Sequence, residues 1–134
     1  MTSLTDLYDF AEKKNIKIDY FHMNEIAAIS FPDGRIVMNN QIKTSTEEKI
    51  YLAHELGHCE TGCFYNINTE SNTKSKYEAS AARWAIKKLI SKKELLNAIC
   101  SGLKEIWELA EHFEVPEHFI RKAVEYYKLE RGNG

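Results

Sequence analysis

Residues 1–134 predict an α+β fold: a small, mostly antiparallel three-stranded sheet packed with five to six helices. Three observations carry that reading. Apolar residues recur at helical spacing at the N-terminus, three short β-like segments follow around a Pro-Asp-Gly turn, and the remainder is punctuated by serine-to-glutamate helix starts. In chain order, Leu4, Leu7, Tyr8 and Ala11 make the first fifteen residues an amphipathic helix. Ile16 to Phe21, Ile26 to Phe31 and Arg35 to Asn39 read as strands, with Pro32-Asp33-Gly34 turning the last two back on each other. Ser45 with Glu48 forms a capping-box pattern that opens a second helix, which Gly62 stops. The polar stretch between Cys63 and Lys74 reads as a loop. Ser75 with Glu78 repeats the pattern for a helix to about Ile90, and Ser91 with Glu94 repeats it for a short helix ending near Gly102. Leu103 to Phe113 and Glu117 to about Leu129 complete the helices, separated by Val115-Pro116, and residues 130–134 are expected to fray.

Composition narrows the function classes. The chain has the length of one domain and too little for two independent cores. Hydrophobic residues at 43% against 28% charged describe a packed protein rather than a disordered one. A net charge of −2 supplies no field that draws it to nucleic acid or anionic lipid. No apolar run approaches the ~20 residues of a membrane span. The N-terminus has no signal-peptide pattern, and three cysteines without a disulfide spacing fit a reducing compartment, so a cytoplasmic location is expected.

One stretch carries chemistry. Residues 54–58 read His54-Glu55-Leu56-Gly57-His58. Helical positions i and i+4 share one face with Cβ atoms about 5–6 Å apart, so both imidazoles can hold one metal ion. Neutral imidazole suits zinc, and a hydrolytic site needs three protein ligands with one position left for water. Glu55 follows the first histidine directly, so its carboxylate can reach that water rather than the metal and act as general base. Chance alone gives this motif in roughly 2% of shuffled chains, and its setting strengthens it. Ile50, Leu52, Ala53 and Leu56 surround it on several faces, and polar side chains inside so apolar a helix are costly unless they are paired or bind metal. The bland alternative is a surface pair or a hydrogen-bonded core pair.

The third ligand is constrained. A continuation with glycine at position 61 and histidine at 64 would supply a third imidazole, but those positions hold Thr61 and Phe64. Glu60 points off the metal face, and Glu70 lies in the polar loop. Glu78 heads a stripe of small residues, Ala81, Ala82 and Ala85, that could approach Gly57 closely. Its rival role is completion of the capping box with Ser75.

These residues resemble the ImmA/IrrE metallopeptidases of bacterial prophages and mobile elements. The resemblance rests on the motif at 54–58, on Glu78-x-x-Ala81-x-x-Trp84-Ala85, and on the tail from Glu108 to Tyr127; it covers the chain from about Val37, the earlier part matching in layout. It implies a minimal zincin-like metalloprotease fold holding one zinc per chain. His54, His58 and Glu78 would be the metal ligands and Glu55 the general base. The implied activity is anti-repression, in which a helix-turn-helix transcriptional repressor is cut; the partner is that protein substrate, with no direct nucleic acid and no membrane. Two positions depart from the family pattern, Ser91 where proline is usual and Ala82 where Asn or Asp is frequent, and neither touches a proposed ligand.

Other candidates read more simply. Tyr65 and Tyr77 flank the loop between the metal helices and could donate to an oxyanion, although packing is the stronger reading for either. His22, His112 and His118 are solitary, and Cys59 and Cys63 are better small buried hydrophobes than ligands. Tyr8, Phe10, Trp84 and Trp107 are expected in the core. The tail has the apolar spacing of a helix-turn-helix, but Glu117 and Glu125 lie beside Arg121 and Lys122 on the would-be reading helix. Two helices walling the cleft are the expectation instead.

Overall fold

The computed structural model describes residues 1–129, so the segment expected to fray lies outside the described residues. The elements are α1 (Leu4–Lys13), β1 (Lys17–Phe21), β2 (Ala28–Phe31), β3 (Arg35–Asn39), α2 (Ser45–Thr61), α3 (Ser71–Leu89), α4 (Lys92–Cys100), α5 (Ile106–Phe113) and α6 (Glu117–Leu129). Among the described residues this is the expected α+β fold of six helices and a three-stranded sheet.

The sheet departs from the expectation in one respect. Its order is β1-β3-β2, with β2 antiparallel and β1 parallel to β3, so it is mixed rather than mostly antiparallel. The reason lies in β3, whose Ile36 and Met38 are wholly buried; the strand with the most to bury takes the centre. The β2–β3 hairpin turns at Pro32-Asp33-Gly34 as read, with Gly34 at φ +89°. In register, Ala28 faces Met38 and Ser30 faces Ile36, which places both on the inner face of the sheet against α2.

Two of the three capping boxes are displaced. Thr44, not Ser45, caps α2: its backbone is extended and its hydroxyl accepts from Glu47 N at 3.2 Å. Glu48 is thereby free of the cap, and its carboxylate instead accepts the hydroxyls of Tyr8 and, at 2.9 Å, Tyr20, joining α1 and β1 to α2. Burial and the Glu48 carboxylate together push the Tyr20 phenol up. α3 starts a turn before Ser75, because Asn66 and Thr69 close a tight polar turn (Asn66 N to Thr69 Oγ1, 3.1 Å) and the chain is helical from Ser71. Glu78 therefore lies inside the helix and caps nothing. The third box, Ser91 with Glu94, stands as read, and Gly62 ends α2 in the left-handed region at φ +68°.

Leu7, Ile36, Met38, Leu52, Leu56, Leu89, Ile90 and Ile120 are the fully buried centre of one core that every helix enters. The tail does not wall the cleft. α5 and α6 bury Leu109, Ala110, Phe113, Phe119, Ile120 and Ala123 in that core, and Tyr127 Oη donates to Ile90 O at 2.6 Å. Their apolar faces are thus spent on the end of α3 and the start of α2. Trp107 is 58% exposed rather than core, since it stands two residues from Leu109 and so on the opposite side of α5. Tyr8, Phe10 and Trp84 are partly buried against the core, the last two with ring centroids 5.5 Å apart. Cys59 packs half-buried there too, its thiol pushed up to about 11 chiefly by burial. Among the described residues no helix is long and apolar enough to cross a membrane.

Lys49 was not legible as a core residue. It is 2% exposed, and its Nζ donates to Phe113 O at 2.7 Å, closing the C-terminus of α5 where Glu114 turns into the left-handed region. Burial lowers its pKa, against the pull of the Glu114 and Asp6 charges. Lys49→Ala removes a packed stem and strands a buried carbonyl, so urea unfolding should show a loss of about 3 kcal/mol. Lys49→Met restores the packing without the donor and should fall between the two.

Candidate metal centre

The motif helix and α3 lie against each other because Gly57 allows it. A Cβ at Gly57 would stand 2.6 Å from the backbone oxygen of Ala81. This is the small-residue contact the alanine stripe predicts, and Glu78 sits one turn before Ala81 on the same helix. The ring centroids of His54 and His58 are 5.0 Å apart. His54 Nε2 lies 2.8 Å from Glu78 Oε1, and His58 Nε2 lies 2.9 Å from Glu78 Oε2. Ligand atoms of these three side chains are all within 4.8 Å of one another. The structure therefore brings His54, His58 and Glu78 together.

The donor set fits a cation. His58 is buried, and its Nδ1 lies 2.7 Å from Cys63 O, an oxygen that can only accept; Nδ1 therefore carries the proton and Nε2 offers a lone pair. That lone pair faces a carboxylate oxygen, an arrangement that calls for a proton or a cation between them. Burial alone would raise the Glu78 carboxyl, but hydrogen bonds from Tyr65 and His54, together with the positive charge either imidazole carries when protonated, outweigh it and hold Glu78 below the usual carboxylate range. That lowering favours the ionised carboxylate, the form in which a carboxylate can hold a cation.

Glu55 stands in the same turn but outside the three-residue cluster. It is half-buried, and its Oε1 accepts from Ser30 Oγ at 2.7 Å. A cleft of about 360 Å³ opens over these groups, with Glu55, His58 and Glu78 as its polar floor and Ile26, Ile29 and Phe64 as an apolar rim. No residue of α5 or α6 lines it.

Of the two tyrosines weighed from the sequence, Tyr65 is at the site and Tyr77 is not. Tyr65 Oη donates to Glu78 Oε2 at 2.8 Å, a bond that pushes the phenol up, and its ring lies 6.3 Å from that of His58. His22, His112 and His118 are exposed and elsewhere. Ser30 and the Cys63 carbonyl were missed. The carbonyl leaves no trace in a side-chain sequence, but Ser30 does: alternation along Ala28-Ile29-Ser30-Phe31 puts a hydroxyl on the inner face beside Ala28.

Fold and site together define a class: an α+β domain whose HExxH helix and facing glutamate form a two-histidine, one-carboxylate cluster with a second carboxylate beside it. The chain belongs to the IrrE N-terminal-like domain family, a peptidase family whose model matches residues 10–125. That match bears out the resemblance read from residues 54–58 and Glu78. Among solved structures, the chain is similar to a Mycobacterium tuberculosis transcriptional regulator, with a TM-score of 0.76 at 12% identity. The likeness covers 97% of this chain and 42% of that one, and it shows a shared fold; this chain spans less than half of the regulator's length. No curated protein matches the chain.

Proposed function

We propose that the protein is a cytoplasmic zinc-dependent peptidase that cuts one bond in a specific protein, the helix-turn-helix repressor of a prophage or integrative element. The observation that carries this reading is the division of labour among carboxylates: Glu78 converges with His54 and His58, whereas Glu55 is held beside that cluster and out of it. His54, His58 and Glu78 would hold the zinc, which when bound polarises a carbonyl and acidifies water to a pKa of about 7. The rest is done by the chain itself. β2 is one of the two outer strands of the sheet and the one that borders the cleft, so a peptide can lie along its unpaired edge as an added strand. The apolar rim excludes water from the seated peptide. Glu55 accepts a proton from the attacking water and returns it to the leaving amine. The Tyr65 hydroxyl, whose one proton goes to Glu78 Oε2 at 2.8 Å, would turn from that carboxylate to the carbonyl oxygen as charge develops there.

The test is elemental analysis of tag-free protein followed by cleavage of the repressor encoded beside it. One zinc per chain, lost in His58→Ala, and a single cut in the repressor are the expected results. Protein that stays metal-free when zinc is offered would sink the reading. The alternative is a non-enzymatic regulator that keeps the zincin-like shell and binds a protein partner or DNA. The fold shared with a mycobacterial transcriptional regulator accords with it, but a shell used for binding alone gives Glu55 no task.

A further inference from the structure

Glu55 projects from a helix that also carries two of the three clustered side chains, and its own flexible stem does not decide where its carboxylate rests. What holds it comes from the sheet. Ser30 lies on the inner face of β2, opposite the wholly buried Ile36, and its Oγ donates to Glu55 Oε1 at 2.7 Å. We propose that Ser30 is a positioning residue that fixes the Glu55 carboxylate at the wall of the cleft, clear of His54, His58 and Glu78.

The chemistry of the pair suits that task. A serine hydroxyl has one proton to donate, so it engages one carboxylate oxygen and leaves the other to accept a proton from water. The 2.7 Å separation is a well-formed O–H···O hydrogen bond. Ala28, on the same face and also bordering the cleft, has no donor; Ile29 alternates to the other face and reaches the cleft only as part of its apolar rim, and Phe31 does not line it. Because Ser30 belongs to the strand that borders the cleft, the base is referenced to the same backbone along which a peptide would lie. That matters because small displacements of a reacting group are costly in rate.

The role of Ser30 in catalysis rests on the peptidase reading; its hold on Glu55 does not, and the two are separable by experiment. Threonine and valine have the same shape in a strand and differ by the hydroxyl. With zinc content at the wild-type level throughout, Ser30→Val and Ser30→Ala should lower kcat on the repressor by about 100-fold with KM within about twofold, and Ser30→Thr should recover most of the rate. A wild-type kcat in Ser30→Val, or a loss confined to KM, overturns the positioning role. The second measurement is a thermal double-mutant cycle on metal-free protein with Ser30→Val, Glu55→Ala and both. The double variant should lose less Tm than the two single losses added together. That result upholds the hold on Glu55 even if wild-type protein leaves the repressor uncut, an outcome that would remove the peptidase reading alone. Strict additivity overturns the pairing whether or not the protein cuts.

Discussion

In the proposed zinc peptidase, Glu55→Gln should reduce repressor cleavage by about 10³-fold or more while zinc content and fold stay as in wild type. The amide has the shape of the carboxylate and can still accept the Ser30 hydroxyl through its oxygen, so the side chain stays where it is. What it loses is basicity: an amide cannot take a proton from water or return one to a leaving amine. Glu55 lies outside the His54, His58 and Glu78 cluster, which is why zinc content should not change. Cleavage rate and bound zinc, measured on the same preparation, check this. The variant also separates the two classes of function. A regulator that works by binding would be indifferent to the change, so a Glu55→Gln protein that relieves repression in cells while the repressor stays intact would remove the enzyme from consideration.

How far the site was legible follows from how local each feature is. His54, Glu55 and His58 occupy five consecutive residues of one helix, and helical geometry alone puts both imidazoles on one face. Glu78 needed an inference about packing between two helices, and the alanines facing Gly57 supplied it. The capping boxes show the limit of a local pattern. Ser91 and Glu94 form one, but Ser45 and Glu48 do not, because Thr44 is the residue with the extended backbone a cap requires. Ser75 and Glu78 fail because a turn closed by Asn66 and Thr69 starts the helix earlier. Features set by distant contacts were not readable at all. Strand order depends on which strand has most to bury, and it left β1 parallel to β3. The tail helices have apolar faces that any hydrophobic surface could satisfy, and the surface they found includes Lys49, whose ammonium is accepted by a carbonyl 64 residues away in sequence.

The contact that brings Glu78 to the histidines gives the second large effect. Gly57→Ala should lower zinc affinity by about 100-fold and destabilise the protein, although alanine is the better helix former by about 1 kcal/mol. The added Cβ would lie 2.6 Å from Ala81 O and 3.1 Å from Ala81 Cα, both main-chain atoms of a helix. Neither can rotate away as a side chain could, so α2 and α3 must separate. Overpacking of this kind costs roughly 1–3 kcal/mol. The functional loss is larger than the structural one because Glu78 is carried on α3, three residues before Ala81, while both histidines are on α2. Any separation of the helices opens the 2.8 and 2.9 Å distances between them. Gly62→Ala is the control: it strains a left-handed cap at φ +68° but meets no atom within 4 Å, so it should cost about 1 kcal/mol and leave zinc binding intact. Zinc titration and thermal melts of the two variants, side by side, distinguish close helix approach from general glycine loss. Equal zinc affinity in Gly57→Ala and wild type would mean that something other than this contact sets the position of Glu78.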